Sequence, residues 1–203
     1  MNKKIIKNIR ISVLTALVLS IVVSMVSFNA KCDDLRNNVL RLHILANSDS
    51  EADQELKLKV RDEILENSAL RFEECCNLTE AIEVAENSTE ELNKIASKVI
   101  NENGYNYDVN IEIGKSYFDT REYENFTLPA GFYNSVIIKI GRAEGKNWWC
   151  VMFPALCVPS ANASLNQTVD DKSAEIATNA SNYKIAFKTV EIYEKIKKIV
   201  LKK

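Results

Sequence analysis

The feature that most constrains this chain is a long stretch without charge. Lys3, Lys4, Lys7 and Arg10 precede residues 11–30, which contain no Asp, Glu, Lys or Arg. At about 1.5 Å of helical rise per residue, such a run reaches about 30 Å, the thickness of a bilayer's hydrocarbon core. Cations on one flank and none inside form the pattern of a Sec signal or a signal anchor. A buried core helix explains neither property. The run is longer than the about 7–15 apolar residues usual in a cleaved signal. Cleavage after Ala30 would place the bulky Phe28 where a small residue is preferred, and Lys31 is a poor neighbour for a lipid-anchored Cys32. Cleavage and anchoring therefore both stay open. The chain divides into residues 1–30, a signal peptide or membrane anchor, and 31–203, a single exported domain.

Setting residues 1–30 aside leaves 22 basic against 28 acidic side chains, a formal charge of −6. An acidic domain lacks the electrostatic footprint of a nucleic-acid binder, so no nucleic-acid partner is expected. Outside the cytoplasm thiols tend to pair. Cys150 and Cys157 flank Pro154, which favours a bend, so a small disulfide loop is feasible. Cys75 and Cys76 are adjacent and would strain to pair with each other. Five cysteines are an odd number, so at least one is free or intermolecular, and spacing alone does not assign the pairs.

Along the domain, the hydrophobic period changes several times. Residues 39–46 alternate, with Leu40, Leu42, Ile44 and Ala46 on one face and Arg41 and His43 on the other, as in a half-buried strand. Asn47, Ser48, Asp49 and Ser50 then offer several helix caps. A helix over about 51–66 places Leu56, Val60 and Ile64 in one row. A second helical region, 77–103, carries an apolar stripe from Ile82 to Val99, and Ser88 with Glu91 is spaced to restart it as a separate helix. Period-two alternation follows from Tyr105 to Ile113. Gly114-Lys115 predicts a turn, with 116–123 returning as a hairpin arm. Strands are expected over 133–140 and 147–153, with a turn at 141–145 between them. Residues 158–182 are polar and predict a loop or flap. The terminal helix aligns Ile185, Ile192, Ile196 and Ile199 in one stripe, with Phe187, Val190 and Tyr193 beside it. This order predicts an α+β domain: a mostly antiparallel sheet of about five strands with helices packed on one face, preceded by the N-terminal signal or anchor helix.

Residues 147–157, NWWCVMFPALC, combine both tryptophans with two of the five cysteines. A catalytic thiol needs a base nearby. The one histidine, His43, is on the first strand and Cys150 on the last, so such a pair is possible if those strands are neighbours but has no local support. No Gly-X-Ser-X-Gly, phosphate-binding glycine loop or His-Glu-X-X-His is present, and zinc would have to be held by one histidine and scattered cysteines. No catalytic residue, metal or cofactor is expected. Strand alternation points Trp148 and Trp149 to opposite faces, so at most one of them can join a sugar-stacking platform.

Two segments carry a more specific signal. VLRLHILANSDSEADQELKLKVRDEIL (39–65) and LPAGFYNSVIIKIGRAEGKNWWCVMFPALC (128–157) resemble the signature regions of the stage II sporulation protein R family. IAFKTVEIYE (185–194) is similar to the helix that closes that family's domain. One departure is Ala155, where FPPLC is the commoner family pattern. The resemblance implies an exported signalling protein rather than an enzyme. It would pass from the forespore into the space between the septal membranes and trigger a membrane-embedded aspartic protease of the mother cell, which cleaves pro-sigma-E. Candidate partner contacts are Arg41 and His43 on the outward strand face, Asn47, Ser48 and Asp49 at the strand–helix turn, and one of Trp148 and Trp149. The cap reading of that turn remains a strong alternative. A wall-directed enzyme or carbohydrate-binding module is the competing reading.

Overall fold

The computed structural model describes residues 3–156 and 164–201. Helix α1 (Lys3–Asn37) leads into strand β1 (Leu40–Leu45). Helices α2 (Glu51–Glu73), α3 (Leu78–Asn87) and α4 (Thr89–Glu102) follow. Strands β2 (Val109–Phe118), β3 (Arg121–Glu122), β4 (Thr127–Leu128), β5 (Gly131–Ile140) and β6 (Asn147–Phe153) come next. Helices α5 (Asp171–Thr178) and α6 (Lys184–Leu201) complete the chain.

The main sheet has four strands in the order β2-β5-β1-β6, and β3 and β4 form a separate two-stranded ribbon. β1 pairs parallel with β5 and antiparallel with β6, while β2 runs antiparallel to β5. The sheet is therefore mixed, not mostly antiparallel, and has four strands rather than about five. Alternation along a strand reports which face is buried but not the direction of its neighbour, so the parallel β1–β5 pair had no local signal.

Helices cover both faces, not one. On the first face α2, α3 and α4 pack over Leu40, Leu42, Ile44, Val136, Ile138 and Cys150. On the second, the end of α1 joins α5, α6 and the β3–β4 ribbon over Tyr133, Val151 and Phe118. Phe28, Cys32 and Leu35 of α1 belong to this second core, and the helix passes residue 30 without a break. Residues 4–24 behave differently: Ile5, Leu14, Val18 and Val22 are among many apolar side chains left exposed. This is the one helix among the described residues long and apolar enough to cross a membrane.

Three local expectations change. β2 does not turn at Gly114-Lys115, because β5 offers it ten consecutive partners, including Gly114 opposite Ser135. The Ser135 hydroxyl also donates to the Gly114 carbonyl at 3.0 Å, which ties the glycine into an extended strand. Of the segment read as a loop, residues 165–167 form one 3-10 turn and Asp171–Thr178 a helix that buries Ala174, Ile176 and Ala177. Small residues pack closely here, so the segment needs no large side chains. Finally, α6 turns Phe187, Val190 and Glu194 inward and leaves its isoleucine stripe in solvent. The helix has two apolar sides, and Phe28 of α1, edge-on to Phe187 at 5.2 Å, selects one of them.

Other expectations hold. Residues 77–103 form two helices that meet at Ser88. Asn77 accepts a hydrogen bond from the Glu80 amide, and the Glu80 carboxylate accepts one from the Cys76 amide, a reciprocal cap.

Candidate functional site

β1 sits at the centre of the sheet, which decides what its outward residues can touch. Arg41 is fully buried, and His43 is half-buried; neither lies on an open strand face. The correction follows from the second helical layer, which covers the side that alternation alone assigned to solvent.

On that second face the β1–β6 register places His43 opposite Trp149. The two rings stack with centroids 5.7 Å apart, and Phe118 meets His43 edge-on at 5.9 Å. Arg121 of the β3–β4 ribbon lies 5.0 Å above the indole of Trp149. Arg41 is held between the rings of Phe118, at 4.0 Å, and Tyr133, at 5.0 Å. One of its nitrogens donates to the Tyr123 hydroxyl at 2.7 Å, while Nε and Nη1 have no hydrogen-bond partner. No carboxylate among the described residues forms an ion pair with it. Burying a cation without a counter-charge is costly, and the faces of two aromatic rings compensate only in part.

Burial also acts on His43. Desolvation, with the nearby charges of Arg41 and Lys139, lowers its pKa below the usual imidazole value against an opposing hydrogen bond with Asn147. Its Nε2 is buried without a partner.

Trp148 points to the first face, with the Arg61 guanidinium 5.0 Å above its ring. The two tryptophans thus diverge as alternation predicts, and each is half-buried beneath an arginine. Neither Arg61, Arg121 nor Tyr123 was singled out in the sequence, because their roles arise from chain crossings far apart in position.

Asn47, Ser48 and Asp49 form a different structure at one end of the sheet. β1 and β5 are parallel, so both end on the same side, and the link from β5 to β6 must pass over the end of β1. The turn at 46–50 clasps that link. The Asn47 carboxamide oxygen accepts from the Arg142 amide at 3.1 Å, and Asp49 accepts from the Lys146 amide at 2.6 Å. The Gly145 amide donates to the Ala46 carbonyl at 3.0 Å. A Cβ on Gly145 would collide with the Ser48 carbonyl, so only glycine permits this crossing.

Within the turn, the Ser48 hydroxyl and Asn47 amide donate to Asp53 at 2.5 and 2.9 Å. Burial pushes the Asp53 carboxyl up, but hydrogen bonds from Ser48, Asn47, Tyr107 and Ser50 outweigh it and hold the pKa below its ordinary value. Asn47 and Ser48 are therefore occupied within the fold, and Asp49 is the exposed member of the three.

Of the candidate disulfide, Cys150 is buried in β6 beneath the first helical layer, whereas Cys157 lies outside the described residues. Cys32, Cys75 and Cys76 are free thiols. No group of histidine, cysteine and carboxylate side chains among the described residues is arranged to hold a metal ion.

This architecture can be compared with known proteins. The family model described as "Stage II sporulation protein R (spore_II_R)" matches residues 36–163, more than half of the chain and all of β1 to β6. The chain belongs to that family. A relative named stage II sporulation protein R, from Bacillus subtilis (strain 168), is 34% identical over 139 residues, 68% of this chain. The match covers 62% of that relative's length, slightly under two thirds. No solved structure matches the chain. Family membership supports a role in sporulation, and the family's name describes a sporulation protein without denoting an enzyme.

Proposed function

We propose that this chain is an exported signalling protein of sporulation that activates a membrane-embedded aspartic protease of the mother cell, causing cleavage of pro-sigma-E. It acts from the space between the septal membranes after leaving the forespore. The observation that carries this reading is the family match over residues 36–163 beside an apolar α1 whose first turns are exposed. The family match supports the sporulation role, and the exposed apolar helix is compatible with a signal or anchor segment.

The protein would act by binding. A ligand biases its receptor by the difference in affinity for the receptor's two states, and no bond needs to be made or broken by the signal itself. The contacts proposed for the protease are the half-buried Trp149 and His43, Trp148 on the opposite face, and the Asn47–Ser48–Asp49 turn through its exposed Asp49. Arg41, fully buried, would act by fixing the rings of Phe118 and Tyr133. Retention of α1 as an anchor is favoured by Phe28, which packs against Tyr183 and Phe187 and would be removed by cleavage after Ala30. A Cys150–Cys157 disulfide would staple the exit of β6 in the oxidising space outside the cytoplasm.

The test is co-expression of the full chain, the protease and its pro-sigma substrate in a heterologous host. Processing that rises when the chain is present supports the reading. Processing that is the same with and without it rejects activation.

A further inference from the structure

α6 carries an apolar surface that the fold does not use. Ile185, Ile192, Tyr193, Ile196, Ile199 and Val200 are between 53% and 86% exposed. At 3.6 residues per turn they fall on one continuous arc, opposite the buried Phe187, Val190 and Glu194. Lys188 and Lys195 border this arc on one side and Lys197 on the other. A solvent-facing helix normally carries polar residues there.

The charge of the segment is also out of step with the rest of the domain. Residues 184–203 hold seven lysines and two glutamates, whereas 31–183 hold 15 basic and 26 acidic side chains. Both glutamates are engaged inward or by lysine: Glu194 is buried near Arg36, and Glu191 bonds Lys195 at 2.7 Å. From Lys195 onward the helix contains no acid at all.

Position decides what this surface meets. α6 crosses α1 just where α1 leaves the domain, and Met25, Val26 and Asn29 share a groove with Thr189, Val190 and Tyr193. Val26 is itself exposed, so the bare apolar surface of α1 continues through Tyr193 into the α6 stripe.

We propose that the outward face of α6 lies on the anionic membrane surface that α1 enters, as a basic amphipathic helix at the lipid–water boundary. The isoleucines enter the acyl boundary, and the bordering lysines extend to lipid phosphates. Two copies of the same stripe would bring lysine rims together, so charge favours lipid over self-pairing. The domain is then held at two places and oriented, with α6 facing the lipid. The inference shares with the proposed function the entry of α1 into the bilayer, and the experiment reads that separately.

The full chain carrying Cys75→Ser and Cys76→Ser would be reconstituted in phosphatidylcholine vesicles with or without phosphatidylglycerol. Ile196→Cys in that background takes an environment-sensitive fluorophore, and Leu14→Cys does so in a parallel sample. The parent without either cysteine sets background labelling. With nitroxide-bearing lipids, quenching at 196 that requires phosphatidylglycerol is the expected result. Lys188, Lys195 and Lys197, the lysines that border the arc, changed together to Gln should lower the docked-to-free ratio on the order of 100-fold, at about fivefold per lysine. Quenching at 14 with a water-exposed label at 196 overturns the inference and leaves the anchor standing. Lack of quenching at both positions overturns both. Self-quenching between labels at 196 that disappears on dilution identifies a second copy as the occupant and also overturns it.

Discussion

The two faces of the sheet are built from different materials. The first, beneath α2, α3 and α4, has an aliphatic centre, with Leu42, Ile44, Ile64 and Ile138 all fully buried. Its buried polar groups, Asp53, Lys57, Ser68 and Ser88, are carried by the helices and the α3–α4 junction rather than the sheet. The second buries Arg41, Arg36, Glu194, Ser135 and Ser173 among aromatic rings and is closed by four separate pieces of chain. Apolar packing is non-directional and tolerates many arrangements, whereas buried polar groups demand specific partners. The first face is thus equipped to hold the fold together. The second ties the domain to the long apolar helix α1 and holds an arginine whose charge is only partly compensated.

The strongest challenge to this contrast is Arg36→Ala. Arg36 donates to the Ala130 carbonyl at 2.7 Å and to Asp33 at 2.8 Å, and it lies 3.8 Å from the buried Glu194. Glu194 Oε1 has no hydrogen-bond partner, so removing Arg36 takes away its buried counter-charge and leaves only Lys197 at 3.6 Å, at a cost of about 3–5 kcal/mol. Urea unfolding of the full chain in mild detergent measures this. A loss under about 1 kcal/mol, the size of a surface ion pair, would mean that the second face does not depend on its polar anchor.

Ile138→Ala tests the other side. A cavity in the aliphatic core should cost about 2–5 kcal/mol by the same measurement. It should leave the exchange protection of α5 and α6 largely intact relative to α2 and α4. Equal loss on both faces would show that the two cores unfold as one.

A smaller effect separates the faces by pH. The folded-state pKa of His43 is lowered, so the unfolded chain binds the proton more readily. The stability from this group is fully present above the unfolded value of about 6.5 and is lost as pH falls from there toward the depressed folded pKa. His43→Gln should flatten the stability profile in that window, as read by urea midpoints. An unchanged slope would remove His43 as its source.

Arg41→Met is the one of these changes expected not to destabilise the fold. Replacing a buried, partly unpaired charge by an apolar side chain of similar length is often neutral or stabilising, by about 1–4 kcal/mol at most. If Arg41 serves the protease, this variant should remain folded while processing of the pro-sigma substrate falls. A strongly destabilised variant would instead assign Arg41 to the fold.

The contrast between faces also explains what could be read in advance. Aliphatic periodicity located β1, α2, β5 and β6, and the Ser88–Glu91 spacing marked where α3 and α4 divide, although the Ser88 side chain makes no cap hydrogen bond. The rows Leu56–Val60–Ile64 and Leu40–Leu42–Ile44 point to the first core without further information. The second face escaped the same treatment. Arg41 looks like a surface residue in any single strand, and Gly114-Lys115 looks like a turn until β5 supplies partners. The candidate site shared this limit: alternation separated Trp148 from Trp149, but nothing local joined Trp149 to Arg121 or Arg41 to Tyr123.

From the sequence alone came the membrane-length helix, the α+β class, most element positions and the family signature, because each depends on spacing between near neighbours. Tertiary structure alone decided the parallel β1–β5 pair, the second helical layer, the burial of Arg41 and the side of α6 turned outward. Those depend on which distant segments meet. A helix with two apolar sides or a strand with one polar side has no inside until a partner covers it.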